Sequence, residues 1–262
     1  MMRDLKYKRL SGWLKRQKSV AVAFSGGVDS SVLAAASFMA IGNKALAVTL
    51  DSPTMARSEL SNAKKVARAI GVRHLVVEGG ELSSRKFRLN TKDRCYHCKR
   101  ELARVLTGVA AKHGIKTVLE GTNADDLRGH RPGYKALRES RVFSPLAEFG
   151  FTKEDVRELA RKFGLPVSEK PSTACLSSRI SYGIRITRHK LAKVEKAEDF
   201  IKKLGVGQLR VRFHGNLARI EVSPKDFQIV LENKERVVAK LNKLGFKHVA
   251  LDLSGYRAGS MN

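Results

Sequence analysis

The chain of 262 residues contains only three cysteines, an odd number. A disulfide framework needs paired cysteines in an oxidising compartment, so the expected use of these thiols is metal ligation or catalysis. No apolar run approaches the roughly 20 residues of a membrane span. The first residues, MMRDLKYKRLSGWLKRQK, lack the apolar core and small-residue cleavage site of a secretory signal. We therefore expect a cytoplasmic protein without a membrane partner, beginning with a basic amphipathic helix that packs through Leu5, Leu10 and Leu14.

Acidic side chains are scarce as well. The 25 Asp and Glu residues face 51 Lys and Arg residues, which gives a net charge of +26 and a pI near 10.4. Such a surplus attracts RNA, DNA, nucleotides or anionic membranes, but it is also found on simple solvated surfaces. Aromatic residues, which would stack on unpaired bases, make up only 6% of the chain. On charge alone, tRNA is a candidate partner.

Short apolar runs alternate with longer amphipathic segments up to about residue 165. The pattern predicts strands at residues 19–24, 45–50, 74–77 and 117–120. It predicts helices at residues 29–40, 57–70, 98–113 and 152–163, the last with Thr152 as N-cap and Asp155 as its capping partner. This alternation indicates an α/β fold with a doubly wound parallel sheet, in which ligands bind beyond the carboxyl ends of the strands.

The pattern changes after an irregular stretch at residues 164–186. Beyond it we predict a helix at 187–204, strands at 208–213 and 218–222, a helix at 224–244 and a last strand at 248–253. This order suggests a small α+β domain. We therefore expect two domains, residues 1–180 and residues 181–262, the second serving substrate binding or oligomerisation.

The stretch FSGGVDSS at residues 24–31 follows the first strand and opens a helix. Gly26 and Gly27 let the backbone approach phosphate oxygens, and the unpaired N–H groups of the helix then face the anion. Ser25 and Ser30 add hydroxyl donors, and Asp29 is placed to help hold a divalent cation. A turn without a ligand would have the same glycines. No GxxxxGK[ST] segment is present, so this is not a Walker loop. SGGVDS resembles the PP-loop of the ATP-pyrophosphatase superfamily, which implies ATP binding, adenylylation and release of pyrophosphate.

Cys95 and Cys98 lie three residues apart at the start of a helix, in RCYHCK, and Cys175 lies in PSTACLSSRI. A structural zinc needs four ligands, whereas three thiolates suit a 4Fe–4S cluster with one open iron that could carry an extra sulfide. A redox CxxC motif or a buried thiol pair is also compatible with the spacing.

Taken together, these segments resemble the LarE family of ATP-dependent sacrificial sulfur transferases along nearly the whole chain. The matching segments are SGGVDSS, RCYHCK, EGTNADD at 120–126, PSTACLSSRI, LRVRFH at 209–214 with ARIE at 218–221, and LDLSGYRAGSMN at 251–262. The resemblance implies that a carboxylate of a pyridinium dicarboxylate mononucleotide, a precursor of a nickel-pincer cofactor, attacks ATP. Sulfur then displaces AMP and leaves a thiocarboxylate.

The resemblance also implies roles for individual residues. Some family members have only the cysteine that matches Cys175 and give up its sulfur, whereas this sequence also has the CxxC pair, which favours transfer of a cluster-bound sulfide. Independently of the resemblance, Asp125 and Asp126 follow the end of a predicted strand, where they could hold Mg²⁺ or orient the nucleotide, although turn residues would look the same. Arg179, Glu198, Arg210 and Arg212 would contact the substrate, although each could also be an ordinary structural residue. A homo-oligomer is expected.

Three other functions remain open from the sequence. A tRNA thiolase could have the same loop and cluster, although the chain lacks paired CxxC zinc knuckles and any recognisable RNA-binding module. A non-catalytic nucleotide- or RNA-binding protein could keep an inactive loop. An ammonia-dependent amidating synthetase would need no thiols.

Overall fold

A computed structural model of the chain describes residues 2–128 and 132–257, with the side chains of residues 2 and 3 excepted. The chain forms two compact units. Unit 1 comprises Met1–Ser84 and Cys95–Thr173, and unit 2 comprises Arg85–Arg94 and Ala174–Asn262. The predicted boundary after residue 180 differs from this division, which places the short segment 85–94 with the C-terminal part of the chain.

Unit 1 contains a four-stranded parallel sheet in the order β3-β2-β1-β4. Its strands are β1 (Val20–Ala23), β2 (Ala45–Asp51), β3 (Arg73–Glu78) and β4 (Thr117–Leu119). Val20 on the central strand pairs with Ala45 on one side and Thr117 on the other. The strand order reverses direction beside β1, so the loop after β1 lies at the position where open α/β sheets bind ligands. The predicted α/β class is confirmed.

Helices connect the strands of unit 1 and cover its sheet. In chain order the helices up to residue 162 are α1 (Met2–Arg16), α2 (Val28–Ile41), α3 (Arg57–Ile70), the short α4 (Arg85–Arg88) that belongs to unit 2, α5 (Arg94–Lys112), α6 (Pro132–Glu139), α7 (Pro145–Glu148) and α8 (Lys153–Lys162). Helix α2 is apolar on nearly every side because α1, α3 and α8 pack around it against the sheet. No helix in the described ranges is long and apolar enough to cross a membrane.

Helix α1 contributes Leu10 and Leu14 to the core, where both are fully buried. Leu5 is 57% exposed, so the expectation that it packs was wrong. At 100° per residue, Leu5 lies about 140° around the helix from Leu10, whereas Leu10 and Leu14 lie about 40° apart. Only one face of α1 is therefore buried.

The buried carboxylate of Asp155 joins the first and last helices of unit 1. Thr152 Oγ1 accepts a hydrogen bond from Asp155 N at 3.2 Å, and Asp155 Oδ2 accepts one from Thr152 N at 3.0 Å, which completes a capping box. Lys6 Nζ from α1 donates to the same Oδ2 at 2.7 Å. Burial acts to raise the pKa of Asp155, but the hydrogen bonds from Lys6 and Thr152 outweigh it and lower that pKa from its ordinary value.

Unit 2 contains a three-stranded sheet in the order β5-β6-β7. Its strands are β5 (Leu209–His214), β6 (Leu217–Val222) and β7 (His248–Leu251), and its remaining helices are α9 (Arg188–Lys202), α10 (Phe227–Glu232) and α11 (Lys234–Lys243). β5 and β6 form an antiparallel hairpin, and β7 pairs with β6 in parallel. The single helix expected at 224–244 is wrong. It is interrupted at Asn233, whose side-chain amide donates to Ile229 O at 2.9 Å and whose carbonyl accepts from Val237 N at 3.0 Å.

Asn90 fixes the segment 85–94 within unit 2. This fully buried residue adopts φ +56°, a left-handed conformation that asparagine tolerates better than most residues. Its amide donates to the carbonyls of Ser181 at 2.7 Å and Ile184 at 3.0 Å, and its Oδ1 accepts from Arg94 Nη1 at 2.7 Å. Arg94 Nη1 also donates to Ser177 O at 3.1 Å. These contacts are long-range in sequence, and the local pattern did not predict them.

We expect the substitution Asp155→Asn to lower the free energy of unfolding at pH 7 by about 1–3 kcal/mol, because it removes a buried charge that accepts several hydrogen bonds. A carboxylate whose folded-state pKa is depressed stabilises the fold above its unfolded-state pKa, near the ordinary 3.8, and that contribution is lost as the pH falls through the folded-state value. Chemical denaturation from pH 7 to pH 3 should therefore show the wild type converging on the variant only below about pH 4.

Asp4→Asn is the matched control, because it breaks the ion pair with Lys162, in which both side chains are exposed. Its effect on the free energy of unfolding should be much smaller than that of Asp155→Asn, because an exposed ion pair contributes little. Equal effects of the two substitutions, or an Asp155→Asn difference that does not depend on pH, would show that the buried carboxylate is not the source of the stabilisation.

Candidate active site

The loop Phe24–Gly27 joins β1 to α2 at the carboxyl edge of the sheet. Gly26 has φ +68°, and a Cβ atom there would come within 2.6 Å of the Cα of Ala63 in α3. The Gly26 carbonyl accepts a hydrogen bond from Asn62 Nδ2 at 3.0 Å. Only glycine satisfies both the conformation and this close approach, so the loop lies directly against α3.

The hydroxyl groups of the loop bond within the loop itself. Ser30 Oγ accepts from Ser25 N at 3.2 Å, lies 3.1 Å from Ser25 Oγ and donates to Gly27 O at 3.1 Å. The N-cap of α2 is Gly27, which has no side chain that could cap the helix. The N-terminus of α2 therefore keeps backbone donors for a ligand, in a loop whose shape is already fixed. The structure brings together the five predicted loop residues Ser25, Gly26, Gly27, Asp29 and Ser30.

Asp29 lies between two side chains that the sequence analysis missed. Its Oδ1 accepts a hydrogen bond from Asn123 Nδ2 at 2.9 Å, and its Oδ2 forms an ion pair with Lys153 Nζ at 2.5 Å. Lys153 N also donates to Asp125 Oδ2 at 2.7 Å, which brings the predicted Asp125 into the same group. The carboxylates of Asp29 and Asp125, the Lys153 ammonium and the loop donors thus lie at one edge of the sheet.

The sequence did contain a signal for Lys153 as a site residue, because Lys153 is the first residue of α8. The end of α8 that carries Lys153 lies at the carboxyl edge of the sheet, since Lys153 N reaches Asp125 just beyond β4. An ammonium there faces the same ligand region as the phosphate loop. Asn123 was visible within EGTNADD, but its contact with Asp29 depends on the pairing of β1 with β4.

Thr49 on β2 also supports the phosphate loop, through a hydrogen bond to Phe24. Thr49 Oγ1 donates to Phe24 O at 2.7 Å and lies 2.8 Å from His74 Nε2. Because the single hydroxyl proton of Thr49 goes to the carbonyl, His74 donates from Nε2. Burial, followed by the charge of Lys64, lowers the pKa of His74 from its ordinary value.

The predicted cysteines belong to both units of the chain. Cys95 and Cys98 lie in the first turn of α5 in unit 1, where Cys95 is exposed and Cys98 is half-buried. Cys175 in unit 2 is exposed, and its Sγ lies 2.9 Å from Ser177 Oγ. Over residues 2–128 and 132–257, no three His, Cys, Asp or Glu side chains are grouped as a metal site.

In unit 2, Arg179 supports the segment that carries Cys175. Its Nη1 donates to Ala174 O at 2.6 Å and to Cys175 O at 3.0 Å, while its Nε and Nη2 pair with Glu198 at 2.9 and 3.2 Å. Both side chains are buried, and Glu198 Oε1 also accepts from Val211 N at 3.0 Å. The charges of this pair offset each other within the protein.

Arg210 and Arg212 alternate on β5 and lie on the same face, as predicted, and both are buried. Arg212 pairs with Glu221 through two hydrogen bonds, at 2.9 and 2.7 Å. Of the terminal segment LDLSGYRAGSMN, residues 258–262 lie outside the described residues.

Comparison with known proteins gives concordant results. The asparagine synthase family model matches residues 10–206. An uncharacterized protein of Synechocystis is 38% identical over 263 residues, which cover the whole of this chain and 98% of that protein. The pyridinium-3,5-bisthiocarboxylic acid mononucleotide synthase of Lactiplantibacillus plantarum is 36% identical over 250 residues, which cover 95% of this chain and 91% of that enzyme. One chain of the glutamine-hydrolyzing GMP synthase of Methanococcus maripaludis is 31% identical over 159 residues, which cover 55% of this chain and 50% of that protein.

We expect Lys153→Met to weaken the binding of ATP and of inorganic pyrophosphate by about 10- to 100-fold. The substitution keeps most of the aliphatic stem but removes an ammonium from the edge of the phosphate loop, where charge-assisted contacts to phosphate oxygens form. Isothermal titration calorimetry would measure both affinities. Lys162→Met, at the other end of the same helix and far more exposed, is the matched control and should bind both ligands normally. Equal affinities in the two variants would remove Lys153 from the site.

Proposed function

Because the chain belongs to the LarE family, within the wider group of enzymes matched by the asparagine synthase family model, we propose that it thiolates a carboxylate in an ATP-dependent reaction. The substrate in this proposal is a pyridinium dicarboxylate mononucleotide, and the product is the corresponding thiocarboxylate. The observation that carries the proposal is the match to the Lactiplantibacillus synthase over 95% of the chain, which extends well beyond the phosphate loop.

In the first step, a substrate carboxylate oxygen attacks the α-phosphorus of ATP. A P–O bond forms to the carboxylate, the bond to the β-phosphate oxygen breaks, and pyrophosphate leaves. The backbone donors at the N-terminus of α2 and the Lys153 ammonium are suited to stabilise the negative charge of the leaving pyrophosphate.

Asp29 and Asp125 are the residues that would hold Mg²⁺, which supplies charge neutralisation of the phosphates when bound. Each Asp29 oxygen accepts one hydrogen bond, from Asn123 or from Lys153, and keeps a further lone pair. The donor set therefore fits a hard cation.

In the second step, a sulfur nucleophile attacks the acyl carbon, the C–O bond to AMP breaks, and a C–S bond replaces it. If Cys175 itself supplies the sulfur, its thiolate forms a thioester. Loss of the Cys175 Cα proton and cleavage of its Cβ–S bond then leave the thiocarboxylate on the substrate and dehydroalanine in the chain. Cys175 is an exposed residue, which is compatible with attack of its thiolate on a bound acyl-adenylate.

The 4Fe–4S cluster stays a prediction from the cysteine pattern. Three thiolates are the ligand type that such a cluster uses. We propose Cys95, Cys98 and Cys175 as the ligands, with a sulfide on the open iron as the transferable sulfur.

Family membership also leads us to propose a cytoplasmic homo-oligomer. The charge of +26 leaves tRNA as the alternative acceptor, and the partial match to the GMP synthase chain suggests amidation as a further reaction to test.

We expect the protein, with ATP and the pyridinium dicarboxylate mononucleotide, to release AMP and pyrophosphate and to form a thiocarboxylate that mass spectrometry detects. Cys175→Ala should abolish the sulfur-containing product but keep substrate-dependent ATP–pyrophosphate exchange, because the phosphate loop and Asp29 are unchanged. This retained exchange is the internal control for folding. If thiolated tRNA were the only product, the proposed acceptor would be wrong. If the only product were an amide formed with ammonia, the proposed sulfur chemistry would be wrong.

For the cluster, we expect close to four irons per chain after anaerobic reconstitution, and loss of the iron in each of Cys95→Ala, Cys98→Ala and Cys175→Ala. The mass of the wild-type chain should be unchanged after turnover, because a cluster-bound sulfide leaves the cysteines intact. An iron-free protein that loses the mass of one H₂S per turnover would instead establish Cys175 as the sacrificial donor.

A further inference from the structure

Helix α2, which begins at the phosphate loop, has α3 and α8 as neighbours in the layer that covers one face of the unit 1 sheet. α3 connects β2 with β3 at one end of the strand order, whereas α8 follows β4 at the other end. Because α2 connects β1 with β2, it lies between them. All three helices begin at the carboxyl edge of the sheet, so a side chain that joins the first turns of α3 and α8 has to pass the phosphate loop.

Lys170 makes such a connection. Its Nζ forms an ion pair with Oε2 of Glu59, in the first turn of α3, at 2.6 Å. Its carbonyl accepts a hydrogen bond from Arg157 Nη2 of α8 at 3.1 Å, and Arg157 Nη1 donates to the Ser168 carbonyl. Arg157, Lys170 and Glu59 thus form a series of long side chains that leads from α8 to α3.

The anchor on α3 lies next to the phosphate loop. Glu59 precedes Asn62 and Ala63, the two α3 residues that contact Gly26, by three and four positions, so these side chains share one face of the helix. Because α3 begins at the carboxyl edge, Glu59 lies one turn farther out than Ala63. The Lys170 ammonium is therefore held just beyond Gly26, on the side of the loop where a ligand binds.

The anchor on α8 has a corresponding position. Arg157 follows Lys153 by four residues and shares its helix face. Lys153 itself is paired with Asp29 in the first turn of α2. Two ammonium groups, those of Lys153 and Lys170, thus flank the phosphate loop, and in this nucleotide-free structure each has a carboxylate partner.

The ion pair of Lys170 can exchange its anion at low cost. The side chains of Lys170 and Glu59 are 20% and 22% exposed, so neither charge is deeply buried and each can be solvated when the pair opens. A lysine ammonium is a compact charge on a flexible four-carbon stem, and it can move while its backbone stays fixed by Arg157. A polyphosphate carries more negative charge than one carboxylate and competes with Glu59 for the ammonium.

We propose that Lys170 is a second phosphate-binding ammonium of the active site, that Glu59 holds it in the free protein, and that bound ATP replaces Glu59 as its partner. Arg157 is the positioning residue that keeps the backbone of Lys170 beside the loop. The inference rests on the proposed function for its ligand, ATP. It assigns Lys170 a task that its position in the irregular stretch after α8 did not indicate.

The test compares binding of a non-hydrolysable ATP analogue, inorganic pyrophosphate and AMP to the full chain by calorimetry. We expect Lys170→Met to weaken binding of the ATP analogue about 10- to 100-fold, as for loss of a charge-assisted contact. Glu59→Gln should tighten it about 2- to 5-fold, because the free protein then has no ion pair to break. The double variant should match Lys170→Met, since Glu59 acts on the nucleotide only through Lys170.

An ion pair that only stabilises the fold predicts a different pattern. Lys170→Met and Glu59→Gln would then remove the same bond and would change both the thermal midpoint and ligand binding equally. Equal effects of the two substitutions on binding, or no effect of Lys170→Met, would overturn the proposal. Glu169→Gln, beside Lys170 in the chain, breaks an exposed ion pair with Arg161 and should bind all ligands as the wild type does.

The role of Arg157 has its own readout. Arg157→Gln should weaken binding of the ATP analogue about 3- to 10-fold in the wild-type background and should have no further effect when combined with Lys170→Met. A loss of the same size in both backgrounds would show that Arg157 does not act through Lys170.

The two smaller ligands identify the phosphate that Lys170 contacts. A loss of pyrophosphate affinity in Lys170→Met with AMP binding unchanged assigns the β- and γ-phosphates, and the opposite pattern assigns the α-phosphate. If the wild type binds these ligands but forms no thiocarboxylate, the proposed function fails, while the binding comparison still decides the role of Lys170. If the wild type binds none of the three ligands, the role of Lys170 is overturned as well.

Discussion

The ion pair between Asp29 and Lys153 is the contact on which the candidate active site of unit 1 depends. Asp29 lies in the first turn of α2, Lys153 begins α8, and Asn123, the second partner of Asp29, follows β4. One carboxylate therefore connects three segments that are far apart in sequence. The phosphate loop is kept in place by this connection on one side and by the contact of Gly26 with α3 on the other. Because these contacts are within the protein, the loop has its shape before a nucleotide arrives, and preorganised donors avoid a cost of rearrangement on binding.

Unit 2 contains buried arginines that need carboxylate partners. Several guanidinium groups are buried on one sheet face, and each would be strongly destabilising without an anion. Glu198 and Glu221 compensate for Arg179, Arg212 and Arg219. The pair of Glu198 and Arg179 also fixes the backbone, since Glu198 accepts from Val211 N and Arg179 donates to the Cys175 carbonyl. The same pair that neutralises charge thereby holds the cysteine segment near β5.

Local patterns were sufficient for the α/β class, for most strands and for the phosphate loop, since each depends on periodicity or on a few adjacent residues. The features that the sequence did not predict mostly depend on contacts between residues far apart in the chain. The role of Lys153 depends on a contact across 124 residues, and the placement of segment 85–94 in unit 2 depends on Asn90 reaching carbonyls about 90 residues away. Alternation placed Arg210 and Arg212 on one face of β5, but only the strand register and the side-chain geometry show which of them Glu221 neutralises. The break at Asn233 was missed because apolar periodicity continues through it.

The matches to known proteins cover different parts of the chain. The match to the asparagine synthase family model ends at residue 206, so the phosphate loop, Asp125 and Lys153, to which we assign ATP activation, lie inside the region shared with that wider group. Arg210, Arg212, Glu221 and Tyr256 lie beyond it, whereas the match to the Lactiplantibacillus synthase covers 95% of the chain. Activation by ATP is the same chemistry for any carboxylate or amide oxygen, so it cannot select the acceptor. Under the proposed function, selection has to come from groups that recognise the rest of the substrate, and such groups can differ between enzymes without any change to the phosphate loop.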